Sequence, residues 1–121
     1  MKMQKRILIT MKFDEKVSYF LNKYLSKIKS IYKPDELWLW GSRAYGKPDE
    51  FSDIDLIVVS EKFSDVKFTK RMYKFIDSIG LLNDRTAETV DVLCYTPAEF
   101  LKKKGQVSII NEAIRKGIRI I

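Results

Sequence analysis

The sequence predicts a small α/β (α+β) domain, in which helices pack on a mixed β-sheet. Three observations carry this. Amphipathic stretches with helical spacing interleave with short runs of β-branched and large apolar residues. Turn formers (Gly, Pro, Asp, Ser) punctuate the boundaries between them. At 121 residues, 45% hydrophobic and 12% aromatic, the chain has room for one core and the material to fill it, so residues 1–121 read as a single domain.

The elements follow in order. Phe13 to Ser30 is a helix, because Val17, Phe20, Leu21, Tyr24, Leu25 and Ile28 recur at spacings of three and four, with Asp14 and Glu15 at its start. Pro34-Asp35 ends it. Glu36 to Trp40 is a strand rich in large apolar groups, stopping at Gly41-Ser42. A loop carrying Gly46, Pro48, Asp49 and Ser52 leads to a second strand, Asp53 to Val59. Val66 to Ile79 is a helix with Phe68, Met72, Phe75, Ile76 and Ile79 on one face, and Thr89 to Tyr95 is a third strand. Thr96-Pro97-Ala98-Glu99 opens another helix with an N-cap, a proline at the first helical position and a capping-box glutamate. It stops near Gly105. A last helix runs from Val107 to Lys116 with Gly117 as its C′ residue, followed by a strand over Ile118 to Ile121.

Composition excludes several chemistries. With no histidine there is no Ser-His-Asp or Cys-His nucleophile, no histidine base and no His-ligated zinc or iron. The single Cys94 forms no disulfide within the chain and no CxxC knuckle. The longest apolar runs, such as Ile54 to Val59, are strand-sized rather than membrane-spanning, and the apolar part of Met1 to Thr10 is too short for a signal peptide. A cytoplasmic protein is expected. The net charge of +7 suits RNA, an acidic protein or a polyphosphate, but it is spread along the chain. Lys102-Lys103-Lys104 falls in the last turn before Gly105, where it complements the helix dipole.

Chemistry must therefore run on carboxylates, hydroxyls, basic groups and a hard metal. Gly41 to Lys47 matches GxxxxGK, yet a P-loop requires Ser or Thr next, and Pro48 stands there. Asp53-Ile54-Asp55 is more informative. Alternate residues of a strand share a face roughly 6.5–7 Å apart, and two aspartates leaning together can reach adjacent positions on a Mg²⁺ with oxygens at about 2.1 Å. Ile54 between them faces the core. Asp91 lies among β-formers in the third strand and joins the same face if the two strands are neighbours. Like charges so placed repel by about 4 kcal/mol per close pair at an effective dielectric of about 20, so divalent cations favour the arrangement.

Gly41-Ser42, ten intervening residues and Asp53-Ile54-Asp55 reproduce the GSx10DxD signature of the DNA polymerase β-like nucleotidyltransferases, which the chain resembles from about Glu36 to its end. Trp40 to Gly46 with Ser52 to Leu56 is similar in particular to the minimal nucleotidyltransferases (MNT). One departure is Tyr45, where many MNT relatives carry a second arginine. The resemblance implies the polymerase β-like fold and a two-metal mechanism. In it Asp53 and Asp55 hold Mg²⁺ bridging the triphosphate of ATP, and Asp91 joins them on a second Mg²⁺ and takes the proton of the attacking hydroxyl. Gly41 lets the backbone approach the phosphates, Ser42 donates to them, and Arg43 neutralises the leaving pyrophosphate.

Larger relatives carry an added acceptor-binding domain, whereas this chain ends after its last strand, so a partner is expected to complete the site. MNT proteins of this size resemble the antitoxins of HEPN/MNT toxin–antitoxin pairs, which bind an all-helical HEPN toxin and transfer AMP onto its tyrosine. The resemblance thus implies a protein adenylyltransferase acting as an antitoxin. The alternatives are an antitoxin that only masks its toxin, and a transferase acting on an RNA 3′ end or a small hydroxylated molecule. Trp38 and Trp40 read either as central-strand core or as an interface.

Overall fold

A computed structural model of the chain describes residues 13–85, 89–106 and 109–121. Helix α1 (Glu15–Tyr32) starts where Asp14 caps it, its carboxylate accepting from the Val17 N–H at 2.9 Å. It ends at Lys33, a non-glycine residue in the left-handed region (φ 43°), and Pro34 then forbids continuation. Strand β1 (Glu36–Trp40) leads into α2 (Ser42–Tyr45), a single helical turn that the sequence reading had as loop, since four residues are too few to show a period. Then come β2 (Ile54–Val59), α3 (Phe68–Ser78), β3 (Val90–Tyr95), α4 (Pro97–Lys104), α5 (Ile109–Lys116) and β4 (Ile118–Arg119). Residues 107 and 108, assigned by spacing to the last helix, lie outside the described residues.

The sheet order is β3-β2-β1-β4. β1 pairs antiparallel with β2 and with β4, while β2 and β3 run parallel, so the sheet is mixed. The parallel pair requires a crossover, which the segment containing α3 supplies. Side-chain alternation divides the core in two. Leu37, Leu39, Ile54, Leu56, Val58, Val92 and Cys94 pack against α1 and α3 through Phe20, Leu21, Tyr24, Ile28 and Phe75. On the other face Trp38, Ile57, Val59 and Tyr95 meet Phe100 of α4 and Ile110 and Ala113 of α5, with Trp40 and Leu93 at the margin. Both tryptophans thus belong to this second core, although the buried Trp40 indole N–H has no acceptor.

The apolar face expected of α3 is not buried throughout. Phe68 and Met72 are exposed, at 48% and 41%, and Arg71 occupies the buried seam of α3. The arginine is tolerated because its guanidinium donates to the Val66 and Cys94 carbonyls and forms a two-pronged pair with Glu99. Hydrogen bonding to Arg71 holds the Glu99 carboxyl down at about 2. The same Glu99 closes the expected capping box, accepting from the Thr96 N–H at 2.8 Å. Gly117 does not adopt the left-handed conformation of a C′ residue. Its need for glycine is space: a Cβ would strike the Ala113 carbonyl oxygen and sit 2.7 Å from that of Leu39.

Candidate active site

The pairing of β2 with β3 determines which acidic groups share a site. Asp55 and Asp91 are register partners across the parallel pair, and Trp40 is the partner of Asp55 on the antiparallel side. Ile54 and Leu56 belong to the α1 side of the sheet, so Asp55 lies on the other face with Ile57, and Asp91 with Leu93. Helices α4 and α5 cover the Ile57–Val59 half of that face. Asp55, half-buried, and Asp91, exposed, lie at the other end, the N-terminal ends of both strands. Asp53, also exposed, immediately precedes that end. The neighbourhood of strands on which the role of Asp91 was conditional is therefore met.

Gly41 is fitted against this end. Its φ of +75° is in the left-handed region, and a Cβ there would overlap Asp55 Oδ2 and lie 3.3 Å from Asp55 Cγ. Ser42 is the first residue of α2, whose turn closes through Ala44 N–H to Gly41 carbonyl (3.0 Å) and Gly46 N–H to Ser42 carbonyl (2.9 Å). The GS pair is thus a close approach of backbone to carboxylate as well as a turn.

Arg43 follows Ser42 in α2. It is buried, at 8% exposure, and each guanidinium nitrogen donates to protein. Nη1 pairs with Asp14 Oδ2 at 2.7 Å, Nε donates to the Ser52 carbonyl at 3.0 Å, and Nη2 donates to the carbonyls of Asp49 and Ser52 at 2.8 and 2.9 Å. Asp14, Asp49 and Ser52 were not singled out as site residues by the sequence reading. No local pattern marks a contact between positions so far apart in sequence, although Asp14 announced itself as a helix cap.

The electrostatics reflect the crowding. Burial, then the charges of Asp91 and Asp53, pushes the Asp55 carboxyl up to about 6 from its ordinary 3.8. A carboxyl raised in the folded state favours folding while protonated; that contribution is complete below its unfolded value and is lost as pH rises through its folded value. The metal-free protein is therefore expected to lose thermal stability relative to Asp55→Asn between about pH 4 and pH 6. Melting curves of the two proteins across this range measure it. A constant difference would mean that Asp55 titrates as an ordinary solvated carboxyl.

Among the described residues no three acidic, cysteine or histidine side chains stand grouped so as to enclose an ion. The donor set nevertheless suits a hard divalent cation: three carboxylates at one end of the sheet, one of them half-buried, raised in pKa by that burial and then by the other two, and backed by a glycine that leaves it room. Cys94 offers no competing soft ligand. It is buried on the α1 side, and burial pushes its thiol up to about 12.

The sequence profile of the nucleotidyltransferase domain matches residues 21–118 of this chain, a span that contains Gly41, Ser42, Asp53, Asp55 and Asp91. No curated protein matches it. Among solved structures, the chain is similar to a Sulfolobus solfataricus protein provisionally assigned as a nucleotidyltransferase. The TM-score is 0.54 at 19% identity, over 95% of this chain and 85% of that one. At that identity the likeness speaks for the fold, a mixed sheet flanked by helices. The match over residues 21–118 settles the family: the chain belongs to the nucleotidyltransferase domain family.

Proposed function

We propose that this nucleotidyltransferase transfers AMP from ATP, with Mg²⁺, to a protein hydroxyl, a tyrosine of an all-helical HEPN toxin, and so acts as an antitoxin of the MNT type. Domains of this family generally use a nucleoside triphosphate and a divalent metal. The observation that carries the reading is the β2–β3 register, which places Asp91 beside Asp55, with Asp53 two residues ahead and Gly41 against the Asp55 carboxylate.

In this reading Asp53 and Asp55 would hold one Mg²⁺, and Asp91 would join them in holding a second. A divalent ion held by these carboxylates would supply charge neutralisation for the triphosphate and a lowered pKa for the acceptor hydroxyl. Asp91 receives the hydroxyl proton as the acceptor oxygen bonds to the α-phosphorus. The bond from that phosphorus to the α–β bridging oxygen breaks, and pyrophosphate leaves. Gly41 admits the phosphates close to the backbone and Ser42 donates a hydrogen bond to them. The acceptor specificity and the pairing with a HEPN toxin rest on the MNT resemblance of Trp40 to Gly46 and Ser52 to Leu56.

Catalysis and docking separate in this scheme. Asp91→Asn is expected to lower transfer by at least about a hundredfold, because Asn lacks the charge needed at the metal and cannot accept the proton. Docking is expected to persist, since one side chain contributes little to a protein interface of about 1,600 Å². The experiment co-expresses Asp91→Asn with the helical toxin, scores growth and weighs the toxin. Growth arrest with an unmodified toxin and an isolable complex supports the enzyme. Continued growth with an unmodified toxin identifies an antitoxin that acts by masking.

A further inference from the structure

We infer that Arg43 is a positioning residue that holds the first aspartate of the site in place, and that it does so together with Asp14. The inference rests on the metal-binding reading of Asp53 and Asp55 above. The family resemblance implies a phosphate role for Arg43. The structure points elsewhere.

The guanidinium is buried and bridges two parts of the fold. On one side it is paired with Asp14, the carboxylate that caps α1 through its other oxygen. On the other it grips the carbonyl of Ser52 with two nitrogens and that of Asp49 with one of them. Asp49 and Ser52 delimit a turn closed by further bonds. The Ser52 N–H donates to the Asp49 carbonyl (3.2 Å), the Asp49 N–H to Ser52 Oγ (3.0 Å), and the Phe51 N–H to Asp49 Oδ1 (2.8 Å). The next residue is Asp53. The peptide carbonyl linking Ser52 to Asp53 is therefore held by Arg43, and Arg43 is anchored in turn to the start of α1.

Turning Arg43 onto a phosphate would strip the Ser52 carbonyl and Asp14 Oδ2 of the donor they have here and take one of two from the Asp49 carbonyl, whereas its present partners satisfy every nitrogen. The planar fork is also specific. A lysine keeps the charge beside Asp14 but presents a point charge in place of a fork that spans both carbonyls and the carboxylate. Arg43 would thus act on a metal held by Asp53 through the backbone of Ser52 and Asp53, as a group supporting a metal ligand from behind.

Two variants test this, Arg43→Lys and Asp14→Asn. Asn caps a helix as well as Asp does, so the second removes the ion pair while keeping the cap. The probes are inorganic tripolyphosphate without metal, and Mg²⁺ titrated into the tripolyphosphate-bound protein, both followed by calorimetry. Both variants are expected to raise the half-saturating Mg²⁺ concentration at least about tenfold and to leave metal-free tripolyphosphate affinity within about twofold. Weakened tripolyphosphate binding in Arg43→Lys, with Asp14→Asn unaffected, would overturn the inference in favour of a phosphate contact. An unchanged Mg²⁺ requirement with lowered melting temperatures would overturn it in favour of a purely structural clamp. If Arg43→Lys fails to fold, Asp14→Asn alone decides by the same criterion. A wild-type protein that binds no Mg²⁺ removes the metal-binding reading along with the inference; a wild type that binds it while the variants match it removes the inference alone.

Discussion

Asp55→Asn is expected to reduce nucleotidyl transfer by at least about a hundredfold while leaving the metal-free fold as stable as wild type or more so, and Asp53→Asn to reduce transfer equally. The two effects of Asp55→Asn come from one cause. Asp55 is a half-buried carboxylate with two like charges bearing on it, so its ionised form is disfavoured in the folded protein. Asn keeps the volume and removes the repulsion, but it also removes a formal charge from the donor set. Loss of activity with no loss of stability distinguishes a site residue from a structural one, whose replacement lowers both. Transfer assays at saturating Mg²⁺ and melting curves without it measure the pair. Transfer above a tenth of wild type in both variants would show that these carboxylates are not the metal ligands.

Gly41→Ala is expected to lower both stability and transfer. Its backbone (φ +75°, ψ −162°) lies in a region nearly restricted to glycine and costs an L-residue roughly 1–3 kcal/mol, and the new methyl would overlap the Asp55 carboxylate. The carboxylate must move, and with it the group opposite Asp91. A double variant separates the two costs. Asp55→Ala clears the space, so adding Gly41→Ala to it should cost only the backbone term, measurably less than Gly41→Ala in the wild type. Equal costs in both backgrounds would mean that Gly41 is needed for its conformation alone.

The parts of this site governed by short-range rules were legible in the sequence. Strand alternation predicted Ile54 turned to the core and Asp55 on the opposite face, although β2 begins at Ile54 and Asp53 only precedes it, and Thr96 and Glu99 announced their capping box three residues apart. The partnership of Asp55 with Asp91 was legible only as a condition, because β pairing joins segments that carry no mutual mark, and the register supplied the answer. What was not legible depends on distant partners. Arg43 follows the GS pair as a phosphate ligand would, yet it is claimed by Asp14 and Ser52. Arg71 was not singled out in the sequence, yet Glu99 and the Val66 and Cys94 carbonyls take up its guanidinium in the seam, beside the partly exposed Phe68 and Met72. Gly117 reads as a left-handed cap, whereas the crowding comes from the Leu39 carbonyl in another strand as well as from Ala113 in its own helix.

The most direct measurement follows the two ends of ATP separately. Purified chain, Mg²⁺ and the helical partner are incubated in parallel with ATP labelled at the α-phosphate and with ATP labelled at the γ-phosphate. The expected result is α-label on the partner, γ-label in released pyrophosphate, and neither when Asp53→Asn replaces the wild type. Transfer of γ-label to the partner, or α-label transfer that survives Asp53→Asn, would contradict nucleotidyl transfer at this carboxylate site.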